Sequence, residues 1–331
     1  MRKAAVAAAG VLAVLPLPLF LWGFMVDDAF ITARYAANVA AGHGYRFNPG
    51  GPSTDGVTPL GFAYVLAPYA SGGAMGAFRA AKLLGAIAWC AAAAMMALAI
   101  DSMEGTRAKW VGLLLAACSA PLAAWSVAGM ETGLVLAFAG IAAASRVLRR
   151  ETACVLCAAL VAAWRPEAIP WAVAMALAPA RAPMPRLSSR WLKLGIVCAP
   201  ALAVAAIRAA VFGHATPLGA IAKPSSLQHG AMYAAACALL CGLVAMVAVR
   251  GVPPWARGLQ VAVIVHWLAM AAAGGDWMPV SRLATTALPT LALAAAAAAA
   301  PRGDSWWTPT WLALRSAAAI GGQLFVLVSH G

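Results

Sequence analysis

Apolar runs long enough to cross a bilayer recur from one end of this chain to the other, and only short connectors between them carry charge. A run of about 20 apolar residues spans the hydrocarbon layer as a helix, the one open-ended conformation that satisfies its own backbone without water. With 64% of its 331 residues hydrophobic and 10% charged, the chain reads as a polytopic membrane protein and not a soluble one. A net charge of +13 would suggest nucleic acid in a soluble domain. Here Lys and Arg cluster in the connectors, so the charge reads as topology. The expected fold is all-α, a bundle of about ten spans in the cytoplasmic (inner) membrane.

Met1-Arg2-Lys3 followed by the apolar residues 4–26 suits a retained signal anchor, because no small-residue cleavage site precedes Asp27. A cytoplasmic N-terminus then places Asp27 on the outer face. Asp27 is expected to cap a helix from Asp28 to about Ala41, its carboxylates at the positive end of the dipole, with Gly42 and Gly44 to stop it. Arg34, Tyr35 and Asn38 alternate with Phe30 and Ile31, the pattern of a helix lying in the membrane interface. Residues 45–56 are turn-rich and close the first outer loop.

Arg146 to Arg150, Arg181 to Lys193, Arg250 to Arg257, and Arg302 all fall on one side of a self-consistent topology. Opposite them fall Glu131, Glu167, Lys223 and Asp276. Residues 152–180 are too long for one span and too short for two ordinary ones, so Arg165-Pro166-Glu167 is expected at the outer tip of two short helices. Parity fails only between 57 and 110, where Arg79-Lys82 and Arg107-Lys109 cannot both be cytoplasmic if 57–72 and 83–100 each cross once. Either 57–72 is a half-membrane element or one basic cluster lies outside.

The outer face thus collects Asp27, Asp28, Arg34, Asn48, Asp55, Glu131, Arg165, Glu167, His214, Lys223, Asp276 and Arg282. Ionisable groups are costly at helix mouths in so apolar a chain unless they are paired or functional. Mixed carboxylates and cations suit an anionic headgroup and a proton acceptor. The seven cysteines, including Cys154/Cys157 and Cys237/Cys241, sit in apolar runs without nearby ligands and read as packed thiols. His43, His214 and His266 have no metal-like spacing. The thirteen tryptophans read as an interfacial belt, with Trp277 the exception suited to sugar stacking.

Asp27-Asp28-Ala29-Phe30-Ile31-Thr32-Ala33-Arg34-Tyr35, then Gly42-His43-Gly44 and Phe47-Asn48-Pro49-Gly50, resemble the first-loop signature of polyprenyl-phosphate-dependent C-type (GT-C) glycosyltransferases. The likeness is greatest to the branch with the mycobacterial terminal arabinofuranosyltransferases. Four later stretches match in the same order: Gly129-Met130-Glu131-Thr132, Arg165-Pro166-Glu167, Phe212-Gly213 through Pro217 to Lys223, and Gly274-Gly275-Asp276-Trp277-Met278-Pro279 with Arg282.

The resemblance implies a GT-C-like membrane enzyme that moves a sugar, with D-arabinofuranose expected, from a polyprenyl-phosphate donor to a cell-envelope glycan on the outer face. It carries the chemistry onto Asp28, with Asp27 as neighbour or rival: a general base for inversion, or a nucleophile for retention. Arg165, Lys223 and Arg282 are the expected phosphate grips, so neither metal nor cofactor is required. Glu131, Glu167 and Asp276 would hold those cations or bind sugar hydroxyls, and Arg34, Tyr35, Asn38, Asn48 and Trp277 complete the expected substrate-binding set. Relatives commonly carry Glu-Gly-Tyr-Thr and a Trp where this chain has Asp55-Gly56-Val57-Thr58 and Gly61, and an Asn where Leu218 stands. Many continue into a soluble outer domain; residues 1–331 are expected to form one membrane-embedded domain without it, acceptor recognition coming from loops or a partner protein. Three other readings stand beside this one: a surface protein such as a pilin as acceptor, a transporter or flippase of lipid-linked sugar, and an inactive accessory subunit.

Overall fold

The computed structural model describes residues 1–179, 181, 189–222, 226–241 and 252–299, and they form helices joined by turns with no strand among them. Lys223, Arg250 and Arg302 lie outside the described residues.

Helix α1 (Arg2–Val14) continues after a proline break into α2 (Pro16–Phe20), and together they are long and apolar enough to cross a membrane. Helix α3 (Asp28–Ala40) follows, then short α4 (Phe62–Leu66) and a 3₁₀ turn over Ala67–Gly72. Helix α5 (Ala74–Asp101) is 28 residues long, about 42 Å at 1.5 Å per residue, which exceeds the hydrocarbon thickness. Helix α6 (Thr106–Ala117) and α7 (Ala120–Ser126) meet at a 49° bend. Then come α8 (Thr132–Val147), α9 (Glu151–Trp164), a 3₁₀ turn at Pro166–Ala168 and α10 (Ile169–Leu177). The described chain is completed by α11 (Arg190–Phe212), α12 (Leu218–Ala222), α13 (Leu227–Leu240), α14 (Pro254–Ala272) and α15 (Leu288–Ala298).

Where the sequence suggests about ten spans, the described residues hold four helices of full spanning length, α1–α2, α5, α11 and α14, or five if the bent α6–α7 pair is one span. Helices α8, α9 and α15 are apolar but shorter. Residues 57–72 do not form a spanning helix: they divide between α4 and the 3₁₀ turn. At one end of α5, Asp101 pairs with Lys109 at 2.9 Å and Arg2 at 3.4 Å. Towards the other, the Lys82 ammonium donates to the Phe24 carbonyl at 2.9 Å. Arg79-Lys82 and Lys109 therefore lie towards opposite ends of the bundle. The break between α9 and α10 falls at Arg165–Ala168, as the sequence reading expects, and the two short helices pack against each other.

The core is built chiefly of alanine, and glycines make one of its close backbone crossings. Small residues let helix backbones approach where lipid leaves no hydrophobic driving force between them. A Cβ on Gly85 of α5 would sit 2.3 Å from the Ser126 carbonyl oxygen, and one on Gly133 of α8 would sit 2.8 Å from the Gly85 Cα. Both are backbone contacts that cannot swing aside. Gly85→Ala is expected to destabilise the protein by about 1–3 kcal/mol through overpacking. Gly195→Ala, whose added methyl meets nothing within 4 Å, should leave the thermal unfolding midpoint in detergent unchanged or raised.

Candidate functional site

At the end of the bundle away from Asp101, a cavity of about 350 Å³ opens among the start of α3, the turn 56–59, the start of α8, the α9–α10 break, α12 and the loop 273–283. Its volume is in the range of small-molecule sites. Four carboxylates, Asp28, Glu131, Glu167 and Asp276, and two guanidinium groups, Arg165 and Arg282, line it. Five separate sequence motifs therefore meet in one space.

The charges are paired with one exception. Arg165, buried in the break between α9 and α10, reaches Glu131 at 2.5 Å, Glu167 at 3.4 Å and the Thr132 hydroxyl at 2.9 Å. Burial works against its charge, but Glu131, Glu167 and Asp276 outweigh that and hold its pKa above the usual arginine value. Asp276 takes Arg282 in a forked pair, Nε to Oδ2 at 2.6 Å and Nη2 to Oδ1 at 3.0 Å, while its Oδ1 also accepts from the Trp277 backbone N–H. Asp28 lines the same cavity, half-buried at the first turn of α3, and among the described residues its carboxylate has no hydrogen-bonding or ion-pair partner.

Loop 273–283 holds its shape by local backbone geometry. Gly274 and Gly275 have φ of 88° and 74°, and Val280 and Ser281, at 56° and 50°, occupy a left-handed region that a β-branched residue rarely enters. The Val280 carbonyl accepts from the Trp125 indole at 3.0 Å, and the Leu283 carbonyl accepts from buried His266. These bonds from α7 and α14 fix the loop on both sides of Arg282.

Trp277 also lines the cavity, whereas Asp27, Arg34, Tyr35, Asn38 and Asn48 lie outside the lining. Asp27 is exposed and does what the sequence suggests at the cap, its carboxylate accepting from the Asp28 N–H at 3.0 Å. Arg34, Tyr35, Asn38 and Asn48 are not brought to the cavity: they brace the first loop. Arg34 donates to the Phe47 carbonyl and the Asn48 side chain, both at 2.8 Å. Asn38 donates to the Arg46 and Phe47 carbonyls, and the Tyr35 hydroxyl bonds Thr54 and the Gly56 N–H. Tyr35 and Asn38 are buried against loop 45–56. An irregular loop leaves backbone groups that need partners, and the helix supplies them.

Two residues absent from the sequence reading matter to the geometry. Arg208, buried within α11, donates to Asp55 at 2.9 Å and to the carbonyls of Val57 and Thr58, fixing the turn that walls the cavity. Its signal was the one charge in the long apolar stretch 194–212 of α11. His229 of α13 stacks on Trp277 with ring centroids 4.3 Å apart and 15° between planes, and no local sequence pattern marks it.

No family model, curated protein or solved structure matches this chain. The geometry itself separates the two kinds of acid. Arg165→Met would strand Glu131, which is 2% exposed, and is expected to cost about 3–5 kcal/mol. Asp28→Asn breaks no side-chain pair and should change stability by less than about 1 kcal/mol. Thermal unfolding of the two purified variants checks the contrast.

Proposed function

We propose that this chain is a GT-C-like membrane glycosyltransferase that moves a sugar, D-arabinofuranose in this reading, from a polyprenyl-phosphate donor to a cell-envelope glycan outside the cytoplasmic membrane. The observation that carries the reading is the unpaired carboxylate of Asp28 in a cavity whose other three carboxylates are held by arginine. The five motifs of the resemblance add to it, since four of them, those around Asp28, Glu131, Arg165 and Asp276, contribute charged groups to that lining.

In this reading Asp28 accepts the proton of the acceptor hydroxyl as that oxygen attacks the anomeric carbon. The bond from the anomeric carbon to the phosphate oxygen breaks with its electron pair, and the lipid phosphate leaves as the anion. One free carboxylate suits direct displacement with inversion, whereas the double displacement of a retaining enzyme needs a second carboxyl group free to act. Arg282 spends Nε and Nη2 on Asp276 and keeps Nη1 for a phosphate oxygen. Glu131 and Glu167 keep Arg165 charged and oriented beside it.

Transfer of radiolabelled sugar from synthetic decaprenyl-phosphoryl arabinofuranose tests the assignment with purified protein in detergent. Asp28→Asn is expected to lower the rate by about 10²–10⁴ while the protein remains folded. Undiminished transfer by that variant would move the proton acceptor to Asp27 or Glu131.

A further inference from the structure

Trp277 is 72% exposed, yet nothing about its position is loose. Its backbone N–H donates to Asp276 Oδ1 at 2.9 Å, and Asp276 is itself locked by the forked pair with Arg282. One face of the indole lies on the His229 imidazole. That ring is fixed in turn, because its Nδ1–H donates to the Gly274 carbonyl at 2.7 Å. The close fit at Gly275, where a Cβ would meet the Tyr233 Cβ at 2.8 Å and His229 Nδ1 at 3.2 Å, presses the loop against α13.

A tryptophan of an interfacial belt sits against lipid and needs no such support. Trp277 instead stands on the rim of the charged cavity, with the Asp276–Arg282 pair next to it. A rigid aromatic face beside charged hydrogen-bonding groups matches the two-sided chemistry of a sugar ring, whose C–H face packs on an aromatic while its hydroxyls bond the polar rim. Holding the ring in advance removes the ordering cost that a free side chain would add on binding.

We propose that Trp277, with His229 as its positioning residue, is the stacking platform for a ring of a neutral glycan at the cavity rim. The inference deepens the proposed function and rests on it for calling that glycan the acceptor. His229 makes no contact with the sugar; it sets the plane and the height of the indole.

Binding of fluorescently labelled soluble oligosaccharides, an array of furanose and pyranose hexasaccharides, to the purified full chain in detergent separates this platform from a lipid anchor. Trp277→Ala is expected to weaken binding about tenfold, equivalent to ~1.4 kcal/mol, with Trp277→Phe retaining most of it. His229→Ala should weaken binding to a lesser degree, and in a transfer assay should raise the acceptor KM with kcat little changed. Binding by the wild type, weakened by Trp277→Ala, with no transfer by the wild type would uphold the platform and remove the transferase reading. Transfer with an acceptor KM untouched by Trp277→Ala would do the reverse. A wild-type protein that binds no sugar on the array, or a folded Trp277→Ala that binds as well as wild type, overturns the platform.

Discussion

The Arg165 guanidinium ties together parts of the chain that no local rule brings near each other. It sits where α9 stops and α10 begins, and it reaches the first residues of α8 through Glu131 and Thr132. Taking these charges out of water is expensive, so the arrangement persists only because each charge finds its opposite within a short distance. Once Arg165 is fixed, Glu131 and Glu167 are fixed with it, and together they make one wall of the cavity. Arg208 does the same on the far side, anchoring Asp55 and the turn beyond it from inside an apolar helix.

Pairing of this kind has a functional side. A carboxylate bound to arginine has lone pairs already engaged with that cation. Among the described residues the cavity therefore has two populations of acids, three that hold cations and one, Asp28, that holds none. The first loop serves this division indirectly. Arg34, Tyr35 and Asn38 spend their hydrogen bonds on loop 45–56, so α3 is held by its polar flank while its N-terminal turn, carrying Asp28, points into the cavity.

Much of this was legible before the fold. The helix from Asp28, its cap by Asp27, and the break at Arg165-Pro166-Glu167 all follow from short-range chemistry: a carboxylate ahead of a helix start, glycines after its end, and a proline in an apolar run. The gathering of Glu131, Arg165, Glu167, Asp276 and Arg282 beside Asp28 was expected from their common side of the membrane. That Arg34, Tyr35, Asn38 and Asn48 bond the first loop was not legible, because a polar residue on a helix looks the same whether it meets a ligand or an irregular backbone. His229 was not legible, since its partner lies 48 positions on and neither residue signals the other.

By itself the sequence determined that the chain is helical, with apolar stretches long enough to span a membrane, and where its few charges stand, since apolar length and helix punctuation act over neighbouring residues. Which charges pair and which one is left over was decided only by the tertiary structure. Pairing depends on distances between side chains far apart in the chain, and those distances are set by glycines such as Gly85 and Gly133 that let two helices meet backbone to backbone.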